Sequence, residues 1–265
     1  YESCFSGISA NSVYVGVGAE VADFDNGIAA RLPARPTALF IRDNGAGDVI
    51  MSTAAVREAR RRLPRAKFIY ATLPAHIELL KGNPDIDEAV SVHELNLETG
   101  GYDLIVNWAR AVEDYSIPRN HAHRIDSFAR MIGIELTDRR VFLEPSEAER
   151  GFARRFLEGK GERFIGYVVQ AAAWNRTWPV WRVPELLEKF ALELPGHKIV
   201  LIDSQAEAGF DAPNAVNACG ATRTFKQAAA LLECCEMAIT PDTGLAHACG
   251  ALGVPTLVLA AAIPP

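Results

Sequence analysis

The sequence predicts an α/β fold in which two Rossmann-like domains, each with a mostly parallel sheet covered by helices, face one another across a cleft. Short apolar runs alternate with segments of helical periodicity along most of the 265 residues. Such alternation is typical of parallel sheets, whose strands are joined by helical crossovers. A strand, a glycine-containing turn and a helix occur together twice, around residues 45–48 and 242–244. This repetition predicts two domains.

Residues 1–36 precede the alternation and are interpreted as an N-terminal arm or short hairpin. Residues 12–17 alternate like a strand, whereas residues 23–26 and 31–36 have the composition of turns. Because the strand order is expected to start at residue 38, we place this segment outside the main sheet. There it would cover a sheet edge or contact a partner chain.

Residues 37–145 form the first predicted domain. Its pattern is strand 38–42, helix 48–63, strand 67–72, helix 74–82, strand 88–92, strand 103–107, helix 121–132 and strand 140–143. Residues 146–162 follow as a linker helix and domain boundary, since Ser146 and Glu149 have the spacing of a capping box.

Residues 163–265 form the second predicted domain. Its pattern is strand 164–170, helix 183–194, strand 198–203, strand 215–217, helix 224–235, strand 237–240, helix 244–252 and strand 255–260. The chain stops directly after an apolar strand, where a doubly wound domain would continue into a further helix. We therefore expect a shortened or divergent version of a longer domain.

Charge and composition exclude several classes of protein. The net charge of −6 disfavours a protein whose main task is to coat nucleic acid or an anionic membrane. The basic run at 57–65 is interpreted as a solvated helix C-terminus. No apolar run reaches the ~18 residues of a membrane span, and the first residues do not resemble a signal peptide. The five cysteines lack metal-ligand spacing, so reduced thiols and a cytoplasmic location are expected.

The turn at 45–48 combines two glycines with a carboxylate at the carboxyl end of a predicted strand. Gly45 and Gly47 allow a ligand to approach the backbone, and the following helix presents unpaired N–H groups and its positive dipole end. Asp48 lies in the first turn of that helix. Because open α/β sheets bind ligands at this edge, the three residues are site candidates, and a phosphate loop is the first interpretation.

The stretch 240–247 repeats this design in the second domain. Asp242 or Thr243 can cap the helix, Gly244 permits close approach, and the exposed N–H groups suit a phosphate or diphosphate. His247 lies one helical turn further on. An ordinary capped turn is the alternative interpretation.

The loop after strand 164–170 contains Arg176 between two tryptophans. An arginine can bind a phosphate bidentately, and Trp174 or Trp178 can stack on a base. In the alternative interpretation Trp178 is a packing anchor of the loop.

Five segments, in this order, resemble glycosyltransferase family 9, the ADP-heptose glycosyltransferases of lipopolysaccharide core synthesis, over residues 38–260. They are Gly47-Asp48-Val49-Ile50, Asn83-Pro84-Asp85-Ile86-Asp87-Glu88, His123-Arg124-Ile125-Asp126, Arg176-Thr177-Trp178-Pro179, and Pro241-Asp242-Thr243-Gly244-Leu245-Ala246-His247 followed by Gly253-Val254-Pro255-Thr256. The resemblance implies a GT-B fold with an acceptor-binding first domain, a nucleotide-sugar-binding second domain and an active site in the cleft.

The resemblance also implies roles for the site candidates. Asp48 corresponds to the catalytic base, and the turn with Gly45 and Gly47 then holds the acceptor, so that the phosphates belong to the second turn. The implied donor-binding residues are Arg176, Asp242, Thr243, Gly244 and His247. A base and a leaving diphosphate on opposite sides of the sugar imply inversion at the anomeric carbon.

No cofactor and no bound metal are expected. Asp85-Ile86-Asp87 spells the metal-binding DxD string of other glycosyltransferases, but it matches an ordinary turn of this family. The implied partners are a nucleotide-sugar donor and a glycan or lipid-linked acceptor, with no nucleic acid. Peripheral contact with the inner membrane face and the oligomeric state are left open.

Two alternatives stay open beside the transferase. A degenerate GT-B protein would bind a sugar nucleotide or a protein partner without turnover. A GT-B-type sugar-nucleotide epimerase would need an acid and a base around one nucleotide sugar, and only Asp48 is nominated. The presence of Asp48, Arg176 and the 242–244 turn favours the transferase.

Overall fold

Two units make up the chain, Tyr1–Phe142 and Leu143–Pro265. The computed structural model describes residues 12–16, 23–97, 99–109, 111, 123–206 and 209–260. Each unit contains one five-stranded sheet in which every strand pair is parallel. Two Rossmann-like units are thereby confirmed. Expectations for Cys4, for the start of helix 121–132 and for residues 261–265 lie outside the described residues.

The first sheet has the strand order β1-β5-β2-β3-β4. Its strands are β1 Val13–Val15, β2 Thr37–Ile41, β3 Lys67–Thr72, β4 Glu88–Ser91 and β5 Leu104–Asn107. From the central strand β2 the chain adds β3 and β4 on one side and β5 on the other. The carboxyl ends of β2 and β5 therefore flank a topological switch point, where sheets of this kind bind ligands.

Three α-helices accompany this sheet among the described residues. They are α1 Ala46–Arg62, α2 Ile77–Leu80 and α3 Arg124–Arg130. Helix α1 buries Val49, Ile50 and Val56 completely, which explains the apolar spacing seen in the sequence. Trp108, just after β5, is also fully buried, and its indole N–H donates to the Phe128 carbonyl at 3.1 Å. This contact fixes the end of β5 against α3.

The second sheet has the strand order β10-β9-β6-β7-β8. Its strands are β6 Phe164–Val168, β7 Lys198–Ile202, β8 Ala215–Asn217, β9 Met237–Pro241 and β10 Thr256–Leu259. Its helices are α4 Glu147–Leu157, α5 Val183–Glu193, α6 Phe225–Glu233 and α7 Gly244–Leu252. The predicted capping box of Ser146 and Glu149 is present at the start of α4. Here the switch point lies between β6 and β9.

The placement of the N-terminal segment outside the sheet is wrong. β1 pairs in parallel with β5, in the register Val13 to Leu104 and Val15 to Val106, and forms an edge of the first sheet. Val13 and Val15 are buried, and the Ser12 hydroxyl donates to the Tyr102 carbonyl at 2.6 Å. The alternating pattern predicted a strand correctly, but the partner of this strand is β5, which lies far along the chain.

Two further elements differ from the prediction. Residues 140–143 form no strand, because the Phe142 N–H donates to the Thr53 hydroxyl at 2.8 Å and ties this segment to α1. The helix predicted over 74–82 is reduced to a 3₁₀ turn, Pro74–His76, and the single turn α2. Gly82 follows with φ of +86°, a conformation that does not continue a helix.

Candidate functional site

The polar residues selected from the sequence form two groups, one at the switch point of each sheet. In the first unit Gly45, Gly47 and Asp48 follow β2. In the second unit Arg176 follows β6 and the 242–244 turn follows β9. Each unit thus carries its candidates at the edge where its topology provides a crevice.

Gly45 is the N-cap residue of α1 and has φ of +76° and ψ of 105°. No side chain caps this helix. A Cβ atom at Gly45 would lie 2.6 Å from Asp48 Oδ2, so glycine is needed for both the backbone conformation and the space beside the carboxylate. Asp48 lies in the first helical turn, as predicted.

A buried arginine that the sequence reasoning did not select holds the Asp48 carboxylate. Arg42 Nη2 donates to Asp48 Oδ2 at 2.7 Å, and Arg42 Nη1 donates to the carbonyls of Trp108 and Ala109 at 2.9 and 3.1 Å. Asp48 Oδ1 is buried and accepts no hydrogen bond from the described residues. The Arg124 Nη1 atom lies 3.6 Å from it, as an ion pair.

Other titratable groups surround this pair. The hydroxyls of Tyr70 and Ser52 share a hydrogen bond at 2.6 Å, and burial raises the Tyr70 pKa far above its ordinary value. Burial, followed by the positive charge of Arg42, lowers the His76 pKa. His76 is therefore neutral at physiological pH, and its Nδ1 atom is buried without a hydrogen-bond partner.

The second unit has an open cavity of about 1130 Å³ at its switch point. The loop after β6 and the start of α7 form two of its walls, through Trp174, Trp178, Thr243 and Gly244. The turns before α6 and after β7 complete it, through Asp203, Ser204, Gln205, Thr222, Arg223 and Thr224. Its size suits a nucleotide-sized ligand.

Arg176 and Asp242 lie on the two turns that flank this switch point and form an ion pair, with Arg176 Nη1 3.5 Å from Asp242 Oδ2. Both residues were predicted from the sequence as site candidates, but the ion pair between them was not predicted. About a third of the Arg176 side chain is exposed, so guanidinium donors remain for an anionic ligand.

The cap predicted for α7 is absent. Thr243 occupies the N-cap position, but its hydroxyl contacts the Thr240 hydroxyl at 3.2 Å and caps no N–H group. The first amides of α7, beginning at Gly244, therefore have no side-chain cap, and Thr243 and Gly244 face the cavity. His247 is half-buried on the same helix and does not line the cavity.

The tryptophans of this loop line the cavity. Trp174 is 89% exposed, Trp178 is 36% exposed, and both line the cavity together with Trp181, which is 79% exposed. Sequence reasoning selected the first two for stacking but omitted Trp181. The interval from Trp178 to Trp181 equals one helical turn, a signal that could have indicated it.

The basic run on α1 is not a simple solvated terminus. Arg60 donates to the carbonyls of Asp85 and Ala66 and to the Asp87 carboxylate. Asp87 also accepts the Phe68 N–H at 2.6 Å. Both acidic residues of the DxD string thus take part in a structural network with Arg60, which agrees with its interpretation as an ordinary turn.

Metal-binding clusters and membrane-spanning helices are both missing from the described residues. No three His, Cys, Asp or Glu side chains lie together as a metal-binding group within the part of the chain that the structure describes. Among the same residues no helix has the length and apolar character required to cross a membrane.

Two Rossmann-like units with parallel sheets form the GT-B fold of glycosyltransferases, which this chain shares with the similar solved structures. The model of glycosyltransferase family 9 (heptosyltransferase) matches residues 106–264, more than half of the chain. The chain therefore belongs to glycosyltransferase family 9. A search of curated protein sequences gave no match.

Three solved structures illustrate the similarity of the fold. The family 9 glycosyl transferase from Veillonella parvula DSM 2008 has a TM-score of 0.68 at 19% identity, over 84% of this chain and 80% of that one. The E. coli ADP-heptose lps heptosyltransferase II has a TM-score of 0.64 at 20% identity, over 84% of each chain. The E. coli heptosyltransferase WaaC with ADP-2-deoxy-2-fluoro heptose has a TM-score of 0.60 at 14% identity, over 86% of this chain and 90% of that one.

Proposed function

We propose that this glycosyltransferase moves a sugar, heptose in the first instance, from a nucleoside-diphosphate donor to a hydroxyl of a glycan or lipid-linked acceptor, with inversion. ADP-heptose is the proposed donor. Membership of family 9 supports the reaction class, and similar folds include proteins described as an ADP-heptose heptosyltransferase and as a complex with an ADP-heptose analogue. The location proposed for this reaction is the cytoplasm, at the inner membrane face where the acceptor is lipid-linked.

The observation that carries the proposal is the cavity of the second unit. Its wall includes Thr243 and Gly244, at the start of a helix whose first amides have no side-chain cap. A helix N-terminus of this kind favours a phosphate group through its N–H groups and its dipole. Arg176, one residue before the cavity-lining Thr177, supplies a positive charge on the neighbouring turn.

We assign the diphosphate to this helix terminus and to Arg176, with Asp242 orienting the guanidinium through their ion pair. As the bond between the anomeric carbon and the diphosphate oxygen breaks, its electron pair goes to that oxygen. The donors that hold the diphosphate then meet a larger negative charge. Loss of one such preorganised donor costs about 3 kcal/mol of activation free energy.

We assign the proton transfer to Asp48 of the first unit. The acceptor hydroxyl attacks the anomeric carbon on the face opposite the leaving diphosphate, and its proton passes to the carboxylate. We assign that proton to the Oδ1 atom, which accepts no hydrogen bond from the residues that the structure describes. Gly45 and Gly47 leave the backbone beside this carboxylate open to the acceptor. No metal is assigned to either step.

The proposal is tested by a donor screen. ADP-, UDP-, GDP- and dTDP-linked sugars are added to the wild type and to Asp48→Asn, and thermal stability and release of the nucleoside diphosphate are measured. We expect ADP-heptose to stabilise both proteins and only the wild type to transfer sugar. The same assay after treatment with EDTA tests the proposed independence of metal.

Two variants examine the donor side. Arg176→Ala should weaken ADP binding, by about 10-fold or more for a charge-assisted contact. Lys189→Ala should not, because Lys189 lies on α5, pairs with Glu185 and does not line the cavity. Equal transfer by Asp48→Asn would remove Asp48 as the base. Stabilisation of the wild type without turnover of any donor would instead identify a non-catalytic binding protein.

A further inference from the structure

We infer that Arg42 is the positioning residue of the catalytic carboxylate, holding one oxygen of Asp48 so that the other receives the acceptor's proton. This inference rests on the function proposed above and assigns a role to a residue outside the predicted site. It follows from how Arg42 is anchored, from the unequal surroundings of the two carboxylate oxygens and from the charges nearby.

Arg42 is anchored on several sides at the switch point of the first sheet. Its side chain is 1% exposed. Its Nη1 atom donates to the carbonyls of Trp108 and Ala109, directly after β5, and its backbone N–H donates to the Ala71 carbonyl of β3 at 3.0 Å. A guanidinium held in this way cannot follow a moving carboxylate. It therefore defines where the Asp48 side chain must lie.

The two oxygens of Asp48 have different surroundings. Oδ2 accepts the Arg42 Nη2 proton at 2.7 Å, a length typical of a charge-assisted hydrogen bond. Oδ1 accepts no hydrogen bond from the described residues, and the Arg124 Nη1 atom lies 3.6 Å from it as an ion pair. Its lone pairs can therefore accept a hydrogen bond from a hydroxyl group. This oxygen is assigned to the acceptor hydroxyl.

Several charged or titratable groups surround the pair. Arg124 on α3 lies 3.6 Å from Asp48 Oδ1, but half of its side chain is exposed to solvent, which screens its charge. Tyr70 interacts electrostatically with Arg42, Asp48 and Asp43. His76 stays neutral beside Arg42. Among the described residues of this group Arg42 is thus the buried cation, and its charge is screened less by solvent than that of Arg124.

This arrangement gives Arg42 a direct effect on the proposed base. Its hydrogen bond fixes the rotation of the carboxylate, so that Oδ2 is held and Oδ1 is left for the acceptor. Without Arg42, the Asp48 side chain would adopt several rotamers. Fewer molecules would then be ready to accept a proton from the acceptor.

The test compares kcat and KM of neutral and charged replacements. Release of ADP from ADP-heptose, with heptose-free lipopolysaccharide core as acceptor, is followed for the wild type, Arg42→Met, Arg42→Gln and Arg42→Lys. We expect the neutral variants to lower kcat by about 10- to 100-fold, within the range of general-base catalysis, and to leave the donor KM nearly unchanged.

Arg42→Lys should recover most of the lost kcat, because its ammonium group can donate to the Asp48 carboxylate. Arg61→Met is the matched control, since Arg61 lies on α1, is half-exposed and pairs with Glu58. It should leave kcat and KM unchanged. Two neutral variants of Arg42 are included, so that a single variant that fails to fold does not decide the result. Carboxyl-carbon NMR, with the Asp48 signal identified by its loss in Asp48→Asn, reports the surroundings of this carboxylate without turnover.

The outcomes separate the two proposals. A neutral variant that keeps the wild-type kcat, or that loses activity while its Asp48 NMR signal stays at the wild-type position, overturns the role of Arg42 and leaves the transferase intact. Lack of transfer by the wild type with every donor overturns the proposed function, and the role of Arg42 with it. A lower kcat at an unchanged donor KM, with a moved Asp48 signal and rescue by lysine, supports the inference.

Discussion

Substitution of Gly45 by alanine tests how the base is held, because it adds one methyl group beside Asp48. The backbone at Gly45 has φ of +76°, a conformation that costs a residue with a side chain about 1–3 kcal/mol. The new Cβ would also lie 2.6 Å from Asp48 Oδ2, where ordinary contacts begin at 3.4 Å. The carboxylate must therefore move by about 0.8 Å, the difference of these distances.

That movement breaks the 2.7 Å hydrogen bond between Asp48 Oδ2 and Arg42 Nη2. A hydrogen bond between charged groups contributes about 1.5–3 kcal/mol, so the total cost of Gly45→Ala is about 3–6 kcal/mol. This is a large part of the 5–15 kcal/mol that typically stabilises a domain. Transfer activity should fall together with stability, since the same displacement misplaces the proposed base.

Hydrogen exchange measured by mass spectrometry gives the opening free energy of α1 separately from that of the second unit. Gly159→Ala is the matched control, because Gly159 has φ of +71° but a Cβ atom added there would meet no other atom within 4 Å. It should cost about 1–2 kcal/mol. In the double variant Gly45→Ala with Asp48→Ala, the cost of the contact should disappear. Equal costs for Gly45→Ala and Gly159→Ala would refute the reasoning.

Three further predictions concern other parts of the chain. Ser52→Ala should destabilise the protein by about 1–3 kcal/mol and Tyr70→Phe by about 1 kcal/mol. The Ser52 hydroxyl already donates to a helix carbonyl, so the Tyr70 hydroxyl must donate to Ser52 and loses its acceptor in Ser52→Ala. A larger loss of stability for Tyr70→Phe than for Ser52→Ala in urea denaturation would contradict this. Hydrogen bonds from Arg163 lower the Glu236 pKa from 4.5 to about 2, so this pair's stabilisation is complete above pH 4.5 and is lost as the pH falls through about 2. Thermal melts of Glu236→Gln should lack that part of the pH dependence, and an unchanged profile would count against it. ADP should quench the tryptophan fluorescence, and Trp174→Phe should remove most of the change, since Trp174 is exposed and lines the cavity; full quenching in the variant would exclude it.

The parts of the fold that local sequence determines were predicted well. The glycine turn, Asp48 and the helix that follows were recognised because the turn residues and the apolar spacing of α1 lie within a short stretch. The same is true of the turn before α7 and of the Ser146 cap. Each of these features depends on neighbours in sequence, which a single sequence displays.

The missed features depend on contacts between distant residues. β1 pairs with Leu104–Val106, and nothing near Val13–Val15 in sequence identifies that partner. Arg42 looked like an ordinary polar residue after an apolar strand, because its anchors follow β5 and become neighbours only when the switch point forms. The cap expected from Thr243 is absent for a local reason, since its hydroxyl contacts the hydroxyl of Thr240 on the same turn.

The pairing of β1 along β5 has a consequence for handling the protein. A version shortened to begin at residue 37 would leave Leu104–Val106 as a bare edge, with backbone groups that now bond to Val13–Val15 left open. Exposed edges of apolar strands recruit strands from other molecules and lead to aggregation. The residues that the sequence analysis placed outside the sheet therefore cover the edge of β5, and proteins designed for expression should retain them.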